Sequence, residues 1–289
     1  MKDAPGRYCE LAMVPEVAEL QAGMDFRLPR YRREVFLRFY EFHLRHRAHP
    51  GCVYYLLPHL AEVGGWSMEQ RLWFAFINGN TQNPVTSWLI FREFPDLARL
   101  DGFRLAEWFG SHYQQLAFDT DRRYHKAKFL VCVENYRVLT GGDQVGWLAS
   151  LTAPTPEATF RALWQVVVDR FIYFGRLSAF SYLEYLAISG VPLACDQLFL
   201  RDLPGSRSHR NGLCRVLGRD DLDWHDSNPA FDGDYSGVMD WLVAEGEALL
   251  HEAQVRLKPS YPDVGNFTLE SALCTYKSWH RPNRRYPNV

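Results

Sequence analysis

Residues 78 to 83 read Asn-Gly-Asn-Thr-Gln-Asn and lie between the apolar stretches Phe74-Ala75-Phe76-Ile77 and Trp88-Leu89-Ile90-Phe91. The side-chain amides of Asn78, Asn80, Gln82 and Asn83 each donate and accept, so together they match a planar partner whose edge alternates donors and acceptors. Thr81 can hold one of them in place. A plainer role is open to the same residues: one amide caps a helix end and the others face water.

Cations form the second group. Arg122, Arg123, Lys126 and Lys128 fall within two turns, with His125 between them, and Arg122 and Lys126 are i, i+4 neighbours. Near the C-terminus Lys277, His280, Arg281, Arg284 and Arg285 alternate with Tyr276, Trp279 and Tyr286. Such interleaving suits phosphates and stacked rings, and it also suits a solvated chain end. The net charge of −2 hides this segregation. Segments 27–47, 121–137, 201–219 and 266–289 hold 21 of the 32 Lys and Arg but 6 of the 34 Asp and Glu. One electropositive face is the expectation, with ordinary solvated helix faces as the alternative.

General-base candidates are Asp226, Glu134, Glu184 and His209, although Asp226 belongs to the acid-rich stretch 220–234. Glu270 reads as a charge near a helix start. Cys214 and Cys274 are candidate nucleophiles that also read as buried thiols on apolar faces. The six cysteines (9, 52, 132, 195, 214 and 274) contain no C-x-x-C, which favours reduced thiols over a zinc knuckle or disulfide framework, and no metal ligands are assigned. No phosphate-binding G-x-x-x-x-G-K-[ST] or dinucleotide-binding G-x-G-x-x-G occurs.

The elements that must position these residues are helices. At 289 residues and 47% hydrophobic the chain can bury a large core. Helical spacing covers 31–47, 103–117, 122–139, 156–173, 177–189, 192–202, 208–217, 235–252 and 267–279. Ser67 with Gln70 forms a capping-box start, and Pro84 opens the next helix, placing 78–83 at a helix-to-helix corner. Gly141-Gly142 and Gly218 are stops. The fold class is mainly α, a single catalytic unit of two interleaved lobes, 67–218 and 1–66 plus 219–289. No apolar leader and no 18-residue uncharged apolar run is found, so the expectation is a cytoplasmic protein without a membrane span.

Two stretches carry a resemblance. NTQNPVTSWLIFREFPDLARL followed by RYHKAKFLVCVENYRVLTGG, and then FLRDLPGSRSHRNGLCRVLG (199–218), resemble the helix-hairpin-helix DNA glycosylases. This resemblance implies a hairpin in which the amides around Gly205 cradle a DNA phosphate, with Gly205 free to take φ > 0. Arg207 stands where the hairpin's second glycine would be, His209 where some members have a nucleophilic lysine, and Asp226 adjoins the position of their catalytic aspartate.

INGNTQNPVTSW, DRRYHKAKF and ESALCTYKSWHRPNRRYP extend the likeness over nearly the whole chain, which resembles the phage amino acid:DNA transferases, also called α-glutamyl/putrescinyl thymine pyrophosphorylases. The implied reaction is displacement of pyrophosphate from 5-(pyrophosphoryloxymethyl)uracil in phage DNA by an amine, in an infected bacterium. Its partners are DNA containing the modified uracil and a free amino acid or polyamine. No cofactor is firmly implied, and a divalent metal could accompany pyrophosphate. On this reading residues 78–83 hold the flipped base, the cations and Arg207 grip pyrophosphate and DNA, and Asp226, His209 or Glu134 handles the proton. A glycosylase-like recognition or excision protein and a helical interaction protein are the alternatives.

Overall fold

The structure is a computed structural model that describes residues 24, 27–46, 53–119, 123–225, 228 and 230–280. Among them no strand occurs, and the chain is mainly helical. In order the helices are α1 (Pro29–His46), α2 (Val53–Val63), α3 (Met68–Thr81), α4 (Pro84–Glu93), α5 (Gly102–His112), α6 (Arg123–Lys126) and α7 (Phe129–Thr140). There follow α8 (Gln144–Leu151), α9 (Pro156–Arg170), α10 (Arg176–Ile188), α11 (Arg207–Val216), α12 (Met239–Leu257) and α13 (Asn266–Tyr276). Residues 53–195 make one compact unit, and residues before 53 join those from 196 onward in the other. Residues 199–218 thus lie in the unit that contains α1.

The unit 53–195 is organised by α3. Its residues from Leu72 to Thr81 are all buried, so beyond its first turn this helix has no solvent face. Around it Phe76 stacks on Tyr136 at 3.9 Å, with Phe174 at 5.8 Å and Tyr182 edge-on at 6.1 Å. Short polar side chains set the helix starts. Ser67 and Gln70 form the expected capping box, Asn83 caps α4 ahead of Pro84, and Thr155 caps α9 ahead of Pro156. Gly141 closes α7 at φ 61°, and Gly218 has φ 73°.

In the other unit the aromatic face of α1 (Phe36, Phe39, Tyr40) packs with α11 and α13 residues Leu213, Leu269 and Leu273. The α11–α13 crossing is unusually close. A Cβ on Gly212 would stand 2.1 Å from the Leu273 carbonyl oxygen, so only glycine allows this approach.

Three expected helices differ. Residues 192–199 are irregular and Phe199 is left-handed at φ 53°. The physical reason lies in α11, whose side chains take the carbonyls a helix would have used. His209 bonds Leu198 O at 2.7 Å, and Ser206 Oγ bonds Phe199 O at 2.6 Å. Arg210 bonds Leu200 O at 3.0 Å and Leu203 O at 2.6 Å. The 122–139 segment breaks into α6 and α7, because His125 is held inward by two buried partners described below. The 103–117 helix ends at His112. Two helices, α2 and α8, were not anticipated.

Gly212→Ala is expected to lower the melting temperature sharply, since separating packed helices costs about 1–3 kcal/mol or more. Gly110→Ala, on the exposed face of α5 with nothing within 4 Å of its Cβ, should leave it unchanged or raised. Thermal unfolding by circular dichroism compares the two.

Candidate functional site

In the unit 53–195 the polar corner is inside the protein. Asn78, Asn80, Thr81 and Asn83 are all buried, and Gln82 is half-buried. Most of the amides are engaged with protein groups. Asn80 Nδ2 donates to Phe76 O at 2.9 Å, and its Oδ1 accepts from His125 Nδ1 at 3.2 Å. With Nδ1 the donor, His125 Nε2 accepts from the Ser178 hydroxyl at 3.2 Å. The result is a buried Asn–His–Ser chain across α3, α6 and α10. Asn83 accepts from the Thr86 amide at 2.8 Å and donates to Asp119 at 2.9 Å, so it is a cap. Thr81 and Ser87 share a 2.6 Å hydrogen bond.

Two amides differ. Asn78 accepts from Ser87 Oγ at 2.9 Å, but its buried Nδ2 has no hydrogen-bond partner, which costs about 1–3 kcal/mol. Gln82 occupies the left-handed region at φ 46°, ψ 23°, where an L side chain costs about 1–2 kcal/mol, and it donates to Ser181 at 3.2 Å.

The other unit contains a constellation that sequence spacing did not bring together. His209 on α11 meets Glu270 and Cys274 on α13, with one potential ligand atom from each lying within 4.8 Å of the others. His209 Nδ1 is 3.0 Å from Glu270 Oε1, yet no acceptor lies along its N–H direction. Burial opposes a charge on the ring, but the Glu270 carboxylate overrides it and raises the pKa to about 9. Ser208, next in sequence, bonds the Lys277 ammonium. Glu270 and Cys274 are four residues apart on a helix, a signal visible in the sequence. Their convergence on His209 depends on the Gly212 crossing.

The remaining expected residues are placed as follows. Glu134 is exposed and paired with Arg137 at 3.0 Å. Lys126 lies over the Tyr113 ring at 4.3 Å, and Lys128 over Tyr173 at 5.5 Å. Arg207 stacks on Trp224 at 4.6 Å and donates to its carbonyl at 3.1 Å. Gly205 is not among the left-handed glycines, and its N–H donates to Asp202 at 3.1 Å, so the nest already faces an internal carboxylate. Glu184 is buried on α10 and Cys214 on α11, where burial pushes the thiol up to about 12. Asp226, Arg122, Arg281, Arg284 and Arg285, and the side chain of Arg123, lie outside the described residues.

The segregated charge is largely re-paired by the fold. Arg33 meets Glu252 at 2.7 Å, Arg215 meets Asp220 at 3.0 Å and Asp223 at 2.6 Å, and Arg219 meets Asp221 at 2.7 Å. Arg32 shares Asp220. Acids from 220–252 thus cover cations that the sequence sets apart.

His280 sits among Tyr276, Arg32, Arg215, Asp220 and Asp223. Burial first, then the two guanidinium groups, lower its pKa from 6.5 to about 3. At neutral pH the ring is therefore uncharged. Between those two pH values the unfolded chain binds a proton that the folded chain refuses. This contribution to stability is therefore complete above pH 6.5 and is lost progressively as the pH falls toward 3. His280→Gln should flatten the decline of melting temperature between pH 6.5 and 5, measured in a common buffer series.

Comparison with known proteins adds identity to this geometry. The model of the family described as amino acid:DNA transferase matches residues 53–285. A protein of Salmonella phage ViI named serinyltransferase is 33% identical over 169 residues, covering 53% of this chain and 39% of that protein. The chain thus spans about two-fifths of that relative's length. No solved structure matches. With the matched region running through both compact units and including the corner as well as the His209–Glu270–Cys274 cluster, the chain belongs to the amino acid:DNA transferase family.

Proposed function

We propose that this protein hypermodifies DNA by transferring an amino acid onto 5-(pyrophosphoryloxymethyl)uracil, releasing pyrophosphate. The observation that carries the reading is the family match over residues 53–285. The amine lone pair forms the new C–N bond at the 5-methylene carbon as the C–O bond breaks. The bonding electrons leave on pyrophosphate, and the amine proton passes to a base. Serine is the first amino acid to try, because the phage relative is named a serinyltransferase. A polyamine is the other amine class.

Such chemistry needs the base out of the stack, cations for the leaving group and an unprotonated amine. We assign base recognition to Asn78 and Gln82. An amide donor buried without a partner and an amide held on a costly left-handed residue both suit groups completed by a ligand. Asn80, Thr81 and Asn83 support them. Lys126, Lys128, Arg207 and Lys277, with Arg122, Arg123, Arg281, Arg284 and Arg285, receive phosphates, and Asp226 takes the amine proton. The glycosylase-like helix-hairpin-helix scaffold is the finer fold proposal. It is supported by the Leu203-Pro204-Gly205 turn that leads into α11, while the irregular arm before that turn departs from it.

The test incubates the full chain with DNA carrying the pyrophosphorylated base and a mixture of amino acids, then digests to nucleosides for mass spectrometry. A new aminomethyl nucleoside with released pyrophosphate is expected. An abasic product would support excision instead, and unchanged DNA would overturn both.

Gln82→Gly relieves the left-handed strain, so the folded state should be retained or strengthened while turnover drops at least tenfold. Full turnover in that variant would reduce the corner to a structural cap. Asn80→Ala should instead lose stability, since it leaves Phe76 O and His125 Nδ1 without their partner at a cost of about 1–3 kcal/mol.

A further inference from the structure

We infer that His209, Glu270 and Cys274 form a binding site for one zinc-class divalent cation, leaving a coordination position open. The inference goes beyond the transfer reaction and stands whether or not that reaction is the activity.

Three donors of different chemistry converge from two helices. Glu270 and Cys274 are i, i+4 on α13 and project from one face, the spacing by which a helix commonly presents two ligands. His209 arrives from α11 where Gly212 brings the backbones together. Ring nitrogen, carboxylate oxygen and thiolate together suit zinc or cobalt, whereas magnesium and calcium prefer an all-oxygen set.

The surroundings match a ligand set. His209 Nε2–H donates to Leu198 O at 2.7 Å, which leaves Nδ1 facing the cluster as the nitrogen a metal would take. That second hydrogen bond is what orients a metal-binding imidazole. His209 is 1% exposed and Glu270 4%, and His209 Nδ1 has no aligned hydrogen-bond partner. The 3.0 Å between Nδ1 and Oε1 lies close to the separation of about 3.3–3.7 Å that ligand atoms take around a tetrahedral zinc. The thiol, within 4.8 Å of both, closes by side-chain rotation. Loading displaces the thiol proton, and the Nδ1 proton where the ring carries one, so the ion's charge is balanced by thiolate and carboxylate.

Three protein ligands are the number found where zinc keeps a place for water or substrate. The competing description of the same atoms is a buried imidazolium–carboxylate pair with a bystander thiol. The two descriptions differ in what they bind.

The experiment uses the full chain, stripped with a chelator and then titrated with cobalt(II). One equivalent is expected, with the intense visible bands of four-coordinate cobalt and a thiolate-to-cobalt charge-transfer band. Cys274→Ser should abolish the charge-transfer band and weaken binding by about tenfold or more, while keeping the fold. Cys214→Ser, a buried thiol outside the cluster, should keep both. Zinc should raise the melting temperature of the parent protein and not that of Cys274→Ser. Less than a tenth of an equivalent bound by the parent chain, or a thiolate-to-cobalt band that survives in Cys274→Ser, would overturn the site. His209→Gln offers a second check, but Cys274→Ser decides, because His209 also supports Leu198 O.

Discussion

Carbonyl groups in residues 198–203 have no helix to belong to, and the side chains of α11 answer for them. Arg210 is wholly buried yet donates to the Leu200, Asp202 and Leu203 oxygens and lies 4.6 Å over the Tyr235 ring. Three carbonyl acceptors and a ring face around its terminal nitrogens offset much of the cost of burying this guanidinium. That arrangement fixes where α11 begins, and the Gly212 crossing fixes how near α13 comes. Everything chemical in this unit inherits its geometry from these two facts: the Glu270 contact, the Lys277–Ser208 bond and the burial of His209.

Charge in this protein is local in sequence and mixed in space. Acids between 220 and 252 neutralise arginines on α1, α11 and the segment between α11 and α12. The exposed pair, Arg219–Asp221, contributes little stability. An arginine that already faces a carboxylate is a weaker partner for any polyanion. Lys126 and Lys128 differ from these arginines in lying over tyrosine rings.

Much of the helical plan was legible in the sequence, because caps and stops are local. Ser67 with Gln70, Asn83 with Pro84, Thr155 with Pro156, and Gly141 all act where their residue types place them. The corner at 78–83 was legible as a helix-to-helix junction, but the partners that engage its amides were not. Those partners include His125, Ser178 and Asp119, each at least 36 residues away. Residues 192–202 misled for the same reason. Their pattern is helical, and only the distant His209 and Arg210 give their carbonyls another partner. The His209–Glu270–Cys274 cluster spans two helices and needs a backbone contact that no local pattern encodes.

The division at residue 195 has a consequence for synthesis. Residues 53–195 are continuous, so this unit can complete its core while the ribosome is still translating. Helix α1 cannot do so, because its aromatic face is buried against α11 and α13, more than 150 residues downstream. At ordinary elongation rates of roughly 5–20 residues per second, Phe36, Phe39 and Tyr40 wait on the order of ten seconds or longer for their partners. During that interval the nascent chain carries an uncovered aromatic stripe, and chaperone demand should concentrate on α1.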